Sequence, residues 1–256
     1  MKFLTTLLAC LFSASLFAAE QWSTVPSISG NGAIPIFSIT SEDASATVVL
    51  IPGGPFIIGN KKPDTGRPDG INFVVRTVGQ FASEKMNVVL MGKPEKAGDL
   101  RFGKNRQSDS HASDVLEVVK FAKKSNKPVW LVGTSLGSMS VTKAVTLDKE
   151  NSVSGLVLSS TVFHSKDGVG VLSIDTVGIG IPVLISHHAK DACPETNPKF
   201  INELKAKFSG SERIAVALID AGDSPTGNPC GPTHWHGFVN AETETVRSIT
   251  EFIRSK

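Results

Sequence analysis

The sequence predicts an α/β fold: a three-layer sandwich in which a mostly parallel sheet is covered by helices on both faces. Three observations predict it. Strand-like and helix-like segments alternate along the chain. The strand segments are continuous apolar runs, which requires burial on both faces of the sheet. The composition is that of a globular protein, with 40% hydrophobic and 20% charged residues in a chain of 256.

Each element has its own justification. Residues 34–39 form an early apolar run, expected as an edge strand after the mixed, Pro- and Gly-containing stretch from Glu20. Ala46–Ile51 (ATVVLI) is short, β-branched and closed by Pro52-Gly53-Gly54-Pro55, so it reads as a buried strand. Residues 61–70 are a polar loop. Residues 72–85 have helical spacing, with Phe73, Val74, Thr77, Val78 and Phe81 on one side. Met86–Met91 (MNVVLM) is a second buried strand, and residues 93–110 form a charged loop without a clear period. Residues 114–122 make an amphipathic helix with Val115, Val118, Val119 and Ala122 inward. Residues 128–132 (PVWLV) are a strand that Gly133 breaks, and a helical pattern resumes over 139–147. Strands follow at 153–159 and 181–186, a helix at 198–208, a strand at Ile214–Ile219, and a closing helix at 241–253 with Val246, Ile249 and Ile253 in register. There is no internal repeat, low-complexity linker or charge block, so residues 20–256 read as a single domain.

The first nineteen residues stand apart. Met1-Lys2 gives a positive start, and residues 3–18 are apolar or small, with only Ser and Thr as polar side chains. Ala18-Ala19 precedes Glu20, the first acid. This is the pattern of a secretory leader cut after Ala18 or Ala19, although position −3 would then be Leu16 or Phe17. The run is short for a bilayer span and contains four Ser/Thr, so no stable membrane span is expected in the mature chain. Leu7-Leu8-Ala9-Cys10 loosely matches a lipoprotein box, but an apolar run continues beyond Cys10, which weighs against acylation there. An exported, periplasmic or secreted protein is the expectation. Removing the leader leaves two cysteines, Cys193 and Cys230, and in an oxidising compartment these suggest one disulfide. With 26 Lys+Arg against 24 Asp+Glu, the net charge of +2 argues against nucleic acid as the main partner.

The sharpest chemical signal is Gly133-Thr134-Ser135-Leu136-Gly137, a Gly-x-Ser-x-Gly motif. Such patterns recur by chance, but here a strand precedes it and a helix follows, which is the context the motif needs. A sharp strand-to-helix turn exposes the central hydroxyl at a helix N-terminus, where free N–H groups favour developing negative charge. Ser138 and Ser140 lie beyond the turn and are expected on the helix surface or in its packing.

A serine needs a base, and the base needs an orienting acid, in the chain order Ser, acid, His. Of six histidines, His111 precedes a helix and reads as a surface or capping residue. His164 lies in a loop before every candidate acid, and His187 and His188 come directly after a strand, too early to be the base. His234 and His236 sit in Thr233-His234-Trp235-His236-Gly237-Phe238, between the last strand and the last helix. His236 is preferred, because Gly237 permits a tight turn and Phe238 can anchor the loop; His234 stays open as the alternative. A His-x-His metal site lacks further ligands in the sequence, and no metal or organic cofactor is expected. The acid belongs after the 181–186 strand, where Asp191 is the first carboxylate; Asp220 and Asp223 are weaker candidates. A Cys193–Cys230 bridge would tie the acid loop to the base loop. Two N–H donors would complete an oxyanion site: Leu136, and Gly54 with Gly53 next. Pro55 has no N–H and is excluded.

From about residue 46 onward the chain resembles the α/β-hydrolase superfamily. The pieces that carry the likeness are the Pro52-Gly53-Gly54 loop after a strand, the Gly133–Gly137 turn, Asp191 after a strand, and His236-Gly237-Phe238 before the last helix. It is also loosely similar to exported, uncharacterised bacterial serine hydrolases with an Asp-x-Cys acid loop and a Cys before His-Gly-Phe. Where relatives often carry His-Gly at the oxyanion loop, this chain has Pro52-Gly53-Gly54. The resemblance implies a Ser-His-Asp hydrolase acting on esters, with a small-molecule or polymer acyl group as substrate. A peptidase, thioesterase or acyltransferase would use the same triad, and a non-catalytic binding protein would share the scaffold. Only residues 163–181 separate two strands where a cap domain would be inserted, so a minimal cap or none is expected, with the 59–70 loop as a possible lid. The sequence leaves the oligomeric state open.

Overall fold

The computed structural model describes residues 18–59 and 66–255. The proposed leader, with Cys10, lies outside the described residues except for Ala18 and Ala19, as does most of the polar loop after Gly59.

Eight strands form one sheet: β1 (Ala19–Pro26), β2 (Ala33–Thr40), β3 (Ala46–Ile51), β4 (Met86–Met91), β5 (Val129–Thr134), β6 (Gly155–Ser159), β7 (Val183–His188) and β8 (Ile214–Ile219), in the spatial order β1-β2-β4-β3-β5-β6-β7-β8. β1 and β2 pair antiparallel with each other, and β2 is antiparallel to β4; all remaining pairs are parallel. The helices are α1 (Phe73–Arg76), α2 (Val78–Ser83), α3 (Gly103–Arg106), α4 (Asp109–Ala122), α5 (Leu136–Leu147), α6 (Ile201–Lys207) and α7 (Glu242–Arg254). Among the described residues no helix is long and apolar enough to cross a membrane.

The continuous apolar strands have a simple cause. Successive side chains of a strand point to opposite faces, and over β3 to β7 both faces are covered, whereas the edge strand β8 leaves Val216 and Leu218 exposed. Val49, Leu131 and Ile185 join Val115 and Val118 of α4, Met139 and Val141 of α5, and Leu204 of α6. Val48, Leu50, Val88, Val132 and Val157 join Phe73 of α1, Phe81 of α2, and Val246 and Ile249 of α7 on the other face. Each such Val, Leu or Ile contributes roughly 1.5–3 kcal/mol on burial.

Several boundaries depart from the sequence expectation. The 34–39 run is an interior strand, because β1 pairs along its outer side. β1 (AEQWSTVP) mixes polar and apolar residues without a period and is mostly exposed, so it carries no continuous hydrophobic signal. The expected 72–85 helix breaks at Thr77, whose hydroxyl bonds the Phe73 carbonyl at 2.7 Å. The loop expected over 93–110 contains α3 and the start of α4, which Ser108 caps by accepting from the His111 N–H. Gly133 does not end its strand; it pairs with Ile51 and Leu158. The 181–186 strand runs on to His188. No helix or strand longer than a three-residue turn, Val171–Ser173, lies between β6 and β7, so the described chain has no cap domain at that point.

This topology places a crevice. The chain order reverses direction in the sheet between β3 and β5, whose carboxyl ends are neighbours, with Ile51 opposite Gly133. Ligand sites of open α/β sheets form at such a reversal.

Candidate active site

Ser135 is the only residue between β5 and α5. Its backbone takes φ 54° and ψ −126°, a strained conformation for a residue with a side chain. The two flanking glycines make the turn possible. A Cβ on Gly133 would lie 2.4 Å from the Gly137 carbonyl oxygen, and one on Gly137 would lie 2.2 Å from that of Ile51. The Ser135 N–H donates to Ser159 O of β6 at 2.9 Å. Of the two settings expected for it, Ser138 takes the packed one: it is buried, its hydroxyl donating to the Ser135 carbonyl at 2.7 Å and accepting the Val162 N–H at 3.2 Å.

The chain turns directly after β7, with the Asp191 N–H donating to His188 O. Asp191 Oδ1 accepts the Cys193 N–H at 2.9 Å. Its Oδ2 accepts the Thr196 hydroxyl at 2.8 Å and His236 Nδ1 at 3.1 Å. The carboxylate is wholly buried. Burial by itself raises its pKa, yet the bond and charge of His236, the Cys193 N–H and the Thr196 hydroxyl together hold it below the ordinary carboxylate value. An ionised carboxylate only accepts, so His236 carries its proton on Nδ1 and leaves Nε2 as the basic nitrogen. The His236 loop is pinned from behind: Ser160 Oγ donates to the His236 carbonyl at 2.8 Å, and Phe238 is buried against Phe73, with ring centroids 4.9 Å apart.

Of the two loop histidines, His236 is the one bonded to Asp191. His234 packs edge-on against Trp235. Asp220 pairs with Lys190 and Asp223 with Asn240, so neither reaches a histidine of the loop. Cys193 and Cys230 are joined in a disulfide that links the Asp191 loop to the His236 loop, with Cα atoms 4.7 Å apart.

Ser135, Leu136, Gly53, Gly54, Thr196, His236 and both cysteines border one cavity of about 940 Å³ at the carboxyl ends of the strands. Ile57, Ile71 and Phe73 give it an apolar wall, and Arg101, Lys166 and Glu195 add charge. Gly53 is pressed against the serine: a Cβ there would lie 2.7 Å from Ser135 Cβ. The Leu136 N–H, at the first position of α5, has no carbonyl one turn earlier to bond. The Gly53 and Gly54 N–H groups find no acceptor among the described residues.

The other histidines have structural settings. His111 is buried, contrary to the surface position expected, with Nε2 2.9 Å from Ser140 Oγ; Ser140 is buried as well. Burial, with Arg106 beside it, pushes the His111 pKa down to about 3. His187 ends buried within β7, its Nε2 accepting the Thr161 N–H at 2.7 Å, and burial pushes its pKa down to about 4. His164 is exposed and meets Phe200 edge-on. Among the described residues, no three His, Cys, Asp or Glu side chains cluster in a metal-holding arrangement. Two partners of the site escape sequence reading: Thr196, five residues beyond the acid, and Arg106, whose long-range contacts no local pattern announces.

No protein-family model matches the chain, and no curated protein matches it in sequence. Solved structures do match in shape. Dienelactone hydrolase from Anabaena variabilis superposes with a TM-score of 0.66 at 13% identity, over 92% of this chain and 97% of that one. An esterase from Exiguobacterium antarcticum gives 0.60 at 15% identity, over 91% and 99%. A serine hydrolase without lid from Xanthomonas campestris gives 0.55 at 14% identity, over 93% and 94%. By its strand order, its one-residue turn at Ser135 and these superpositions, the chain has the α/β-hydrolase fold.

Proposed function

We propose that the protein is an exported serine hydrolase that cleaves carboxylic esters through an acyl-enzyme. The observation that carries this reading is the common cavity: Ser135 on its strained turn, and His236 with its Nδ1 bonded to the buried Asp191, border the same space. Hydrolases and esterases among the similar folds support the reaction class.

In this reading His236 Nε2 takes the Ser135 hydroxyl proton as Oγ attacks the ester carbonyl carbon. The charge that develops on the carbonyl oxygen is met by the Leu136 N–H and the Gly54 N–H, with Gly53 as the neighbouring donor. The intermediate collapses, the C–O bond to the alcohol breaks, and His236 hands its proton to the departing oxygen. Water then attacks the acyl-enzyme by the same route, releasing the acid and restoring Ser135. Asp191 keeps His236 in the Nδ1–H tautomer and stabilises its charged form; it does not take the proton.

The uncapped cavity fits small or surface-exposed acyl groups. The expected result of an ester panel on the mature chain is faster turnover of short p-nitrophenyl esters than of long ones, with Ser135→Ala inactive on all of them. Hydrolysis at the wild-type rate by Ser135→Ala would remove the assignment, and a preference for long chains would remove the substrate class. Amide and thioester analogues in the same panel separate ester cleavage from peptidase and thioesterase chemistry.

A further inference from the structure

Arg106, at the end of α3, is the largest fully buried side chain among the described residues, and no carboxylate there pairs with it. A buried cation without a counter-charge is costly, so its neutral partners matter. Nε donates to Leu100 O at 2.6 Å. Nη1 donates to Pro52 O at 2.9 Å and to Ser140 Oγ at 3.3 Å, and Nη2 donates to Gly54 O at 2.8 Å. The guanidinium also lies over the Phe56 ring, 4.6 Å from its centroid. Ser140 continues the chain to His111 Nε2.

The fork therefore grips two carbonyls of one loop, on either side of Gly53. That loop borders Ser135 and is built from two glycines, the residues least able to hold a peptide orientation by themselves. In a trans peptide the N–H points opposite to the C=O. With Pro52 O turned to Arg106, the Gly53 N–H is turned away from it. The Gly53 carbonyl is fixed in its turn by the Phe56 N–H at 3.2 Å, which turns the Gly54 N–H the other way. Gly54 itself sits at φ 53°.

We propose that Arg106 is a positioning residue for the oxyanion site: by holding the Pro52 carbonyl it sets the Gly53 N–H, and by holding the Gly54 carbonyl it pins the far end of the loop, so that the intervening Gly54 N–H keeps its aim at the charge that forms beside Ser135. This rests on the serine-hydrolase reading above. A guanidinium does this better than an ammonium, because three carbonyls and a hydroxyl spread around one plane suit a fork.

The test compares the wild type with Arg106→Met and Arg106→Lys, each first checked for cooperative melting. The readouts are kcat and KM on a short p-nitrophenyl ester, the rate of Ser135 labelling by a fluorophosphonate, and inhibition by a trifluoromethyl ketone. The expected result for Arg106→Met is a fall of about 10–100-fold in kcat and in labelling rate, with KM within about threefold. Ketone affinity should weaken in proportion to kcat/KM, since only the adduct carries the oxyanion. Arg106→Lys should fall between the two, and carries the test if Arg106→Met does not fold. A folded variant with kcat, labelling and ketone affinity all within twofold of wild type would overturn the positioning role while leaving the nucleophile intact. A wild type that no fluorophosphonate labels would instead overturn the serine-hydrolase reading, and the positioning role with it.

Discussion

Asp191 Oδ2 lies 3.1 Å from His236 Nδ1, and the same oxygen accepts the Thr196 hydroxyl at 2.8 Å. The carboxylate is sealed from solvent and held ionised by the donors around it. Replacing it with an amide of the same shape keeps the packing but presents the imidazole with an NH2 group, or with an oxygen that no longer carries charge. Asp191→Asn should therefore lower kcat by roughly a thousandfold to ten-thousandfold with little change in KM. Steady-state kinetics checks this, and a loss below tenfold would place the orienting acid elsewhere.

The Cys193–Cys230 bridge spans 37 residues of sequence and joins the loops that carry Asp191 and His236. On the chain-entropy account a closed loop of this size is worth roughly 3–4 kcal/mol. The Cys193→Ser/Cys230→Ser double variant should lower the urea midpoint accordingly, and should lower kcat beyond any change in KM because the acid loop is freed from the base loop. Unchanged Cm and unchanged kcat would show that the loops hold their relation without it.

Much of the fold is legible in the sequence because its causes are local. The bounds of β3, β4 and β8 follow directly from apolar runs, interrupted only by Thr47 and Asn87 and ended by Pro, Gly or charge. The turn at Ser135 is legible because its steric demands fall on residues two positions away. Asp191 and His236 emerge from chain order, since each follows a strand end that can be counted. Other features depend on partners far along the chain. Arg106 and Gly54 are 52 residues apart, and nothing around either glycine or arginine signals a buried fork. His111 looks like a helix-start surface residue until α5 brings Ser140 against it, 29 residues on. β1 is invisible as an apolar run because most of its side chains are exposed, and its register comes from β2.

Buried histidines make stability pH-dependent, His187 and His111 above all. His187 and His111 have pKa values lowered by burial to about 4 and about 3, against 6.5 in the unfolded chain. Below pH 6.5 the unfolded state therefore binds more protons than the folded one, and stability falls as pH falls. Each histidine contributes a slope of up to about 1.4 kcal/mol per pH unit, ending near pH 4 for His187 and near pH 3 for His111. Asp191, with its lowered pKa, adds a further loss at still more acid pH, below the ordinary carboxylate range. Urea unfolding at pH 7, 6 and 5 should show a falling midpoint at constant m, and His187→Gln should reduce the slope. Equal midpoints at pH 7 and pH 5 would contradict the buried neutral state.

The glycines of the turn are tested by a single methyl. In Gly137→Ala the new Cβ would meet the Ile51 carbonyl at 2.2 Å, a backbone atom of the central sheet that has little room to yield. The expected cost is about 1–3 kcal/mol or more in urea unfolding, with activity lost in parallel. A variant as stable as the wild type would mean that the turn relaxes more easily than its contacts imply.

The most direct measurement is covalent. The protein lacking its proposed leader is treated with a fluorophosphonate and the adduct is located by peptide mass spectrometry, beside Ser135→Ala and His236→Ala. One adduct on Ser135 in the wild type, none in Ser135→Ala and a strongly slowed reaction in His236→Ala is the predicted result. An adduct at another serine, or one that persists in Ser135→Ala, would contradict it.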